Sequence, residues 1–226
     1  MTRTRIVRDL IAVCRRLDEH AFVAATDGNV STRLPNGHIL ITRAGVPKGR
    51  VGPEDLVEVT PEGKALRGAA SASTELGLHL FIYRERQDVG AVVHAHPVFA
   101  TGFAAARIPL DADLFPEAIV GFGTIPLAEY ATPSTPEVAN SIRPFVRDVD
   151  AILLANHGVV TFGGDLNGAY LRMEKVEQIA QTTFVTRFLG GGVPLSAAER
   201  EKLQAAAGVT TSVPSQHKPS TSTQKR

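Results

Sequence analysis

Two short apolar runs that end in histidine constrain this chain more than any other feature. The first is Ala91-Val92-Val93-His94-Ala95-His96-Pro97 and the second is Leu153-Leu154-Ala155-Asn156-His157-Gly158. Both read as buried strands, short and nearly continuous in apolar residues, closed by turn signals. A strand alternates its side chains between two faces, so His94 and His96 point to one side and can converge on one cavity. A lone histidine beside an apolar run is ordinarily a satisfied core or strand-end residue. A His-x-His pair joined by a third imidazole from a distant strand instead builds a facial set of three nitrogens, as in a catalytic zinc site that keeps one position open. Spacing therefore favours a metal site over three unrelated core histidines.

The chain has 226 residues, 43% of them apolar, which suits one domain with enough core to fold unaided. Its net charge is +1, and the basic residues are scattered apart from Arg3, Arg5, Arg8 and a short basic tail. That distribution argues against nucleic acid or a membrane surface as partner. No stretch is long and apolar enough to span a bilayer, and the first residues lack the apolar run and small-residue cleavage site of an export signal. The single cysteine, Cys14, lies on an amphipathic helix with Ile6, Leu10, Ile11, Val13 and Leu17. It excludes an intramolecular disulfide, reads as a small buried apolar residue and fits a reducing cytoplasm.

Helical and strand patterns alternate along the chain. A first helix is expected over residues 2–20, then strands at 29–34 and 38–42 joined by Pro35-Asn36-Gly37. Residues 56–60 and 64–67 suggest a second hairpin, and Ser73 reads as the N-cap of a helix through Glu85. After His96, Pro97 opens a helix to Ala106; strands are expected at 118–121, 125–128 and 151–155, with a helix near 135–147. Asp165 caps a long helix with the stripe Leu166, Ala169, Tyr170, Met173, Val176, Ile179 and Ala180, which Gly190-Gly191-Gly192 ends; a short helix follows at 196–206. Residues 209–226 have almost nothing to bury and read as a disordered tail, leaving 1–208 as the folded domain.

Beside the histidines, Ser71-Ala72-Ser73-Thr74-Glu75 places hydroxyls and a carboxylate at a helix start. Free backbone amides there suit an anion, with Ser73 and Thr74 adding donors, although the same residues also suit a simple cap. Asp27-Gly28-Asn29 and Ala44-Gly45 are further sources of amide donors, or merely turns. Glu75 is either a solvated partner of the helix dipole or, if it faces a metal cavity, a general base.

Thr26-Asp27-Gly28-Asn29-Val30-Ser31, Ser73-Thr74-Glu75, His94-Ala95-His96-Pro97 and Asn156-His157-Gly158, in that order and at these separations, resemble the class II aldolase/adducin family, especially its L-fuculose-1-phosphate aldolase-like members. The likeness covers residues 3–207. It implies a three-layer α/β/α fold around a mainly antiparallel sheet, and a homotetramer with active sites at subunit interfaces. It implies His94, His96 and His157 as ligands of Zn2+, with manganese, iron or cobalt as alternatives. Glu75 matches the catalytic acid/base, and Asn29, Gly45, Ser73 and Thr74 match phosphate-binding positions. The implied activity is that of a zinc-dependent carbon–carbon lyase. It cleaves a ketose 1-phosphate to dihydroxyacetone phosphate and an aldehyde through a metal-stabilised enediolate.

The chain departs from the family pattern at two places. Many members have Thr-Pro-Ser-Gly or Thr-Pro-Thr-Gly where this chain has Thr42-Arg43-Ala44-Gly45, so one hydroxyl is missing. Arg43 supplies charge there and suits either a phosphate or the carboxylate of a hydroxy acid. Phe115 occupies the position of a tyrosine that donates a proton from a neighbouring subunit, and Glu117, two residues on, is a candidate for that role or a surface residue. The alternatives are a decarboxylase or dehydratase on a hydroxy acid or sugar derivative, or a pentulose-phosphate 4-epimerase. Epimerases carry aspartate in place of Glu75. Non-catalytic adducin-like modules lack the metal histidines, all three of which are present here.

Overall fold

The computed structural model describes residues 2–66, 71–110 and 112–208. The expected disordered tail at 209–226, and Arg67 of the expected second hairpin, lie outside the described residues. Helix α1 (Arg3–Glu19) is capped by the Thr2 hydroxyl, which accepts from the Arg5 amide, and buries Ile6, Leu10, Val13, Cys14 and Leu17 along one stripe. Burial pushes the Cys14 thiol up to about 12, so this cysteine is a packing residue and not a nucleophile. Then come β1 (Asn29–Arg33), β2 (Ile39–Thr42), β3 (Leu56–Val59), α2 (Leu76–Glu85), β4 (Ala91–Ala95) and α3 (Val98–Ala106). The second half holds α4 (Pro116–Gly121), β5 (Leu127–Ala128), α5 (Pro136–Ile142), β6 (Ala151–Leu154), β7 (Gly158–Gly163), α6 (Leu166–Phe188) and α7 (Ala197–Ala207). Among the described residues no helix is long and apolar enough to cross a membrane.

The strands form one sheet in the order β3-β2-β1-β4-β7-β6-β5, antiparallel except for the β5–β6 pair. Alternation along β4 divides the core. Ala91, Val93 and Ala95 pack with Leu10, Leu17, Phe103, Met173 and Val176 of α1, α3 and α6. Val92 faces the other way, toward Leu78, Phe81 and Ile82 of α2 and Val138 and Ile142 of α5. The result is the expected three-layer α/β/α arrangement around a mainly antiparallel sheet. β4 is buried on both faces, which is why its sequence is apolar at every position except the histidine.

Several local expectations are corrected. Residues 118–121 form most of α4 and not a strand. Pro116 occupies the first helical turn, and Ala118 and Ile119 turn into the core at a spacing a single apolar run does not reveal. The strand expected at 125–128 is only Leu127–Ala128, and the helix near 135–147 ends at Ile142. The second hairpin is shorter than expected: its return arm makes one bridge, Val59 to Ala65, flanked by hydrogen bonds from the Thr60 amide to the Lys64 carbonyl and from the Leu66 amide to the Glu58 carbonyl. β7 was not expected at all. It follows His157 directly as a fully buried strand, hidden in the sequence behind the Asn-His-Gly turn signal.

The segment after His96 is anchored by Glu177, a carboxylate on α6 that is only 3% exposed. Its Oε1 accepts from the Phe99 amide at 3.0 Å and its Oε2 from the Ala100 amide at 2.9 Å, so α6 caps α3 from outside its own chain segment. Glu177→Ala removes the acceptor of both amides and leaves them unsatisfied. Its expected cost is about 2 kcal/mol, read as a lowered urea midpoint at unchanged m-value.

Candidate metal centre

Register brings the histidines together. In the β1–β4 pair Asn29 lies opposite His94, and in the β4–β7 pair His94 lies opposite Val160, which follows the His157 turn closely. The ligating atoms of His94, His96 and His157 all lie within 4.8 Å of one another. The ring centroids are 4.9 Å apart for His94 and His96, 4.7 Å for His94 and His157, and 5.1 Å for His96 and His157. Two turns make this possible. Asn156 adopts a left-handed backbone with φ of 57°, which asparagine tolerates, and its side chain holds the Ala105 carbonyl and the Arg107 guanidinium. Gly158 admits the His96 ring, because a Cβ there would meet His96 Cδ2 at 2.5 Å.

Glu75 completes the cluster. Its Oε2 lies 3.1 Å from His94 Nε2 and its Oε1 3.4 Å from His157 Nε2. Burial works to raise the Glu75 carboxyl, but His94, His157 and Asn29 outweigh it and hold the group well below the usual carboxylate range. Burial likewise opposes charge on His94, yet the neighbouring Glu75 and the Val159 carbonyl raise it. Burial and the proximity of His94 lower His96, and bring His157 down to about 4. Two of the three imidazoles are therefore neutral and carry lone pairs.

The donor set fits a divalent cation. His94 Nδ1 donates to the Val159 carbonyl at 2.9 Å, which directs Nε2 into the cluster. His96 Nδ1 lies 3.5 Å from Asp27 Oδ2, so its Nε2 also points inward and comes within 3.1 Å of His94 Nε2. Two inward-facing imidazole nitrogens and a carboxylate need positive charge between them. Glu75 Oε1 is moreover buried with no hydrogen-bond partner, an orphaned acceptor that a cation would satisfy.

The other sequence candidates divide into two groups. Thr42 stitches the turn after β2 to the neighbouring strand and to the 71–75 segment: its hydroxyl accepts from the Val30 amide and its carbonyl from the Ser73 amide. The Ala44 amide donates to Ser71, and Gly45 has φ of 72°, which favours glycine. Arg43 pairs with Asp55 at 2.8 Å. The Ser73 hydroxyl accepts from the Glu75 amide, and Thr74 accepts from Ser134. The bridge between Arg43 and Ala72 keeps this stretch extended, so α2 begins at Leu76, with Glu75 and not Ser73 at its cap position. A cleft of about 310 Å³ opens beside Thr74 and Glu75, bounded also by Leu78, Ser134 and Thr135. Glu117 is elsewhere: with Phe115 it lines a surface hollow against Lys175, Gln178 and Thr182 of α6. Among the described residues no hydrogen bond or ion pair joins Glu117 to the histidines.

Sequence reasoning missed Asp27 as the partner of His96, and it missed His79. The His79 ring is completely buried, contacts the Asn29 Oδ1 and places Nδ1 2.6 Å from Ser31 Oγ. The available signal was spacing, since His79 stands four residues after Glu75 and so on the same helical face.

Comparison with known proteins agrees with this geometry. Residues 8–184 match the family model described as the class II aldolase and adducin N-terminal domain. The chain is 34% identical over 182 residues to an L-fuculose phosphate aldolase of Methanococcus maripaludis, covering 80% of this chain and 97% of that one. It is 33% identical over 188 residues to a methylthioribulose-1-phosphate dehydratase of Gluconacetobacter diazotrophicus, covering 76% and 88%. A solved L-fuculose 1-phosphate aldolase superposes with a TM-score of 0.83 at 30% identity, covering 91% and 97%. The chain belongs to the class II aldolase and adducin N-terminal domain family.

Proposed function

We propose that this protein is a divalent-metal-dependent aldolase that cleaves a small ketose 1-phosphate to dihydroxyacetone phosphate and an aldehyde. The observation that carries this reading is the convergence of three imidazoles and an ionised, half-orphaned carboxylate at one point. His94, His96 and His157 would hold the metal, zinc by the preference of an all-imidazole set for a borderline cation. Such a cation supplies Lewis acidity to the substrate oxygens next to the bond that breaks.

Cleavage of a ketose between C3 and C4 moves two protons. One leaves the C4 hydroxyl as the aldehyde forms, and one is returned to C3 of the dihydroxyacetone phosphate half. Glu75 is assigned the C3 proton, because it is fixed at Oε2 by Asn29 and positioned beside the ligand cluster: as the carboxylate it would take this proton in the condensing direction, and as the carboxyl so formed it would return it to C3 in cleavage. Glu117 is assigned the C4 oxygen from a neighbouring subunit, since within one chain it faces away from the histidines. The amide of Gly45, the hydroxyls of Ser73 and Thr74 and the loop at Asn29 would receive the phosphate. Arg43 adds charge at the same turn, with Asp55 taking one of its five N–H donors.

The surface supports an assembly with sites at subunit interfaces. Val98 is 67% exposed and Phe188 84%, and with Phe99, Phe103 and Phe184 they border an apolar groove of about 550 Å³ next to the His96 segment. Exposed apolar area of this kind marks an association face, which we assign to a homotetramer. A dehydratase acting on a sugar phosphate is the second reading, favoured by the dehydratase relative.

Elemental analysis of purified protein is expected to give about one divalent ion per chain, and His157→Ala to lose most of it; full occupancy in that variant excludes the three-ligand set. Glu75→Gln keeps the shape and removes the basicity, so metal should stay bound while cleavage of ketose 1-phosphates falls by about 10²-fold or more. Steady-state assays on a ketose 1-phosphate panel measure this, and near-normal turnover would move the base to another residue. Inorganic phosphate is expected to compete with substrate, and Ala44→Ser to lower KM for a phosphorylated substrate by adding a hydrogen bond to a charged group worth about 1.5–3 kcal/mol. Absence of competition up to tens of millimolar phosphate would replace the sugar phosphate with a hydroxy acid.

A further inference from the structure

Behind Glu75 and Asn29 runs a line of buried polar groups, His79, Ser31 and Tyr83, that the proposed chemistry does not touch. Glu75, His79 and Tyr83 recur every four residues along one face of α2 and its approach, and Asn29 and Ser31 recur every two along the facing side of β1. The two elements meet as a polar seam inside an otherwise apolar layer. His79 and Ser31 are 0% exposed, Tyr83 2% and Asn29 3%.

The groups follow one another in a line. Tyr83 lies 2.8 Å from Ser31 Oγ, and Ser31 Oγ lies 2.6 Å from His79 Nδ1. His79 Nε2 contacts Asn29 Oδ1, and Asn29 Nδ2 lies 2.8 Å from Glu75 Oε2. The carboxylate sets the direction of the whole line. Glu75 only accepts, so Asn29 must turn its N–H toward it and its carbonyl toward His79. His79 must then donate from Nε2 and accept at Nδ1, Ser31 must donate to His79, and Tyr83 must donate to Ser31. Burial drives His79 down to about 3, so the ring stays neutral and can hold this one-donor, one-acceptor state.

We propose that His79, backed by Ser31 and Tyr83, is a positioning residue that locks the Asn29 amide with its N–H toward Glu75. The opposite setting of the line is sterically identical. It would bring the Asn29 carbonyl against the carboxylate and push Glu75 away from the cluster. The seam therefore selects one of two hydrogen-bond orders, and that choice keeps the Glu75 oxygens 3.1 and 3.4 Å from the histidine nitrogens. The assignment rests on Glu75 acting on protons as proposed above.

Two measurements on the metal-loaded full chain test it. Nitrogen-15 NMR of the ring should find His79 protonated at Nε2 and bare at Nδ1 at neutral pH; the Nδ1-protonated tautomer, or a protonated ring, overturns the proposal. Ser31→Ala and the shape-conserving Tyr83→Phe should each keep the metal and KM while lowering kcat by about tenfold, the scale of outer-shell substitutions. In a Glu75→Gln background the same changes should have no further effect, because their influence passes through Glu75. Equal losses in both backgrounds would mean a merely structural seam and overturn the proposal. Should Glu75→Gln cleave substrate as fast as the unmodified enzyme, the acid/base assignment falls, and the His79 tautomer alone decides the direction of the line.

Discussion

An imidazole can be buried completely only if both ring nitrogens are satisfied, and His94 meets that condition with partners from two sides. Its Nδ1 is tied to the Val159 carbonyl across the β4–β7 ladder, and its Nε2 is tied to Glu75 at the start of α2. A one-residue slip between β4 and either neighbour would turn the ring toward α1 and α6, away from the Glu75 carboxylate. The placement of His96 two residues on, of Asn29 directly opposite and of His157 beyond β7 all follow from that register. The site is thus a property of three central strands, with helices supplying only the carboxylate and its supports.

The three clustered histidines were legible because two periodicities coincide around them, the two-residue repeat of a strand and the apolar continuity of a doubly buried one. Glu75 was legible only through its company, since a glutamate near a helix start is normally solvated. The missed elements share a cause: tertiary contact decides them. Gly158–Gly163 is a core strand although the glycines at both ends weaken its β signal and Thr161 interrupts its apolar run, a polar group made tolerable by the Ala169 carbonyl 2.8 Å from the Thr161 hydroxyl inside the fold. Residues 118–121 look β-prone in isolation, yet Pro116 and the packing of Ala118 and Ile119 make them helical.

The seam behind Glu75 was illegible for a different reason. A histidine, a serine and a tyrosine inside apolar elements each have an ordinary structural explanation, and only their mutual distances turn them into one line. Its cost is also different. A buried polar seam is tolerable only when its members are satisfied, and here the five side chains are linked one to the next from Tyr83 to Glu75, whose Oε1 is left for a cation. A core of leucines would pack as well but could not discriminate one orientation of the Asn29 amide from the other.

The aldolase and dehydratase readings share the histidines, Glu75 and the seam, so none of these separates them. Both reactions begin by managing charge beside a carbonyl, and they differ in which oxygen needs a proton as it leaves. An aldolase must exchange a proton with the nascent aldehyde oxygen, whereas a dehydratase must protonate a departing hydroxyl on the retained skeleton. That second proton donor is the part of the site this chain does not complete by itself: Phe115 carries no acidic hydrogen, and Glu117 faces α6 and away from the cluster. The cleft beside Thr74 and Glu75 is open on the side where Ser134 and Thr135 stand. On the proposed reading, specificity is divided between a half within the subunit, which would manage the carbanionic centre, and a half that a neighbouring copy would bring, where the Glu117 carboxyl would stand in for the phenol that Phe115 lacks.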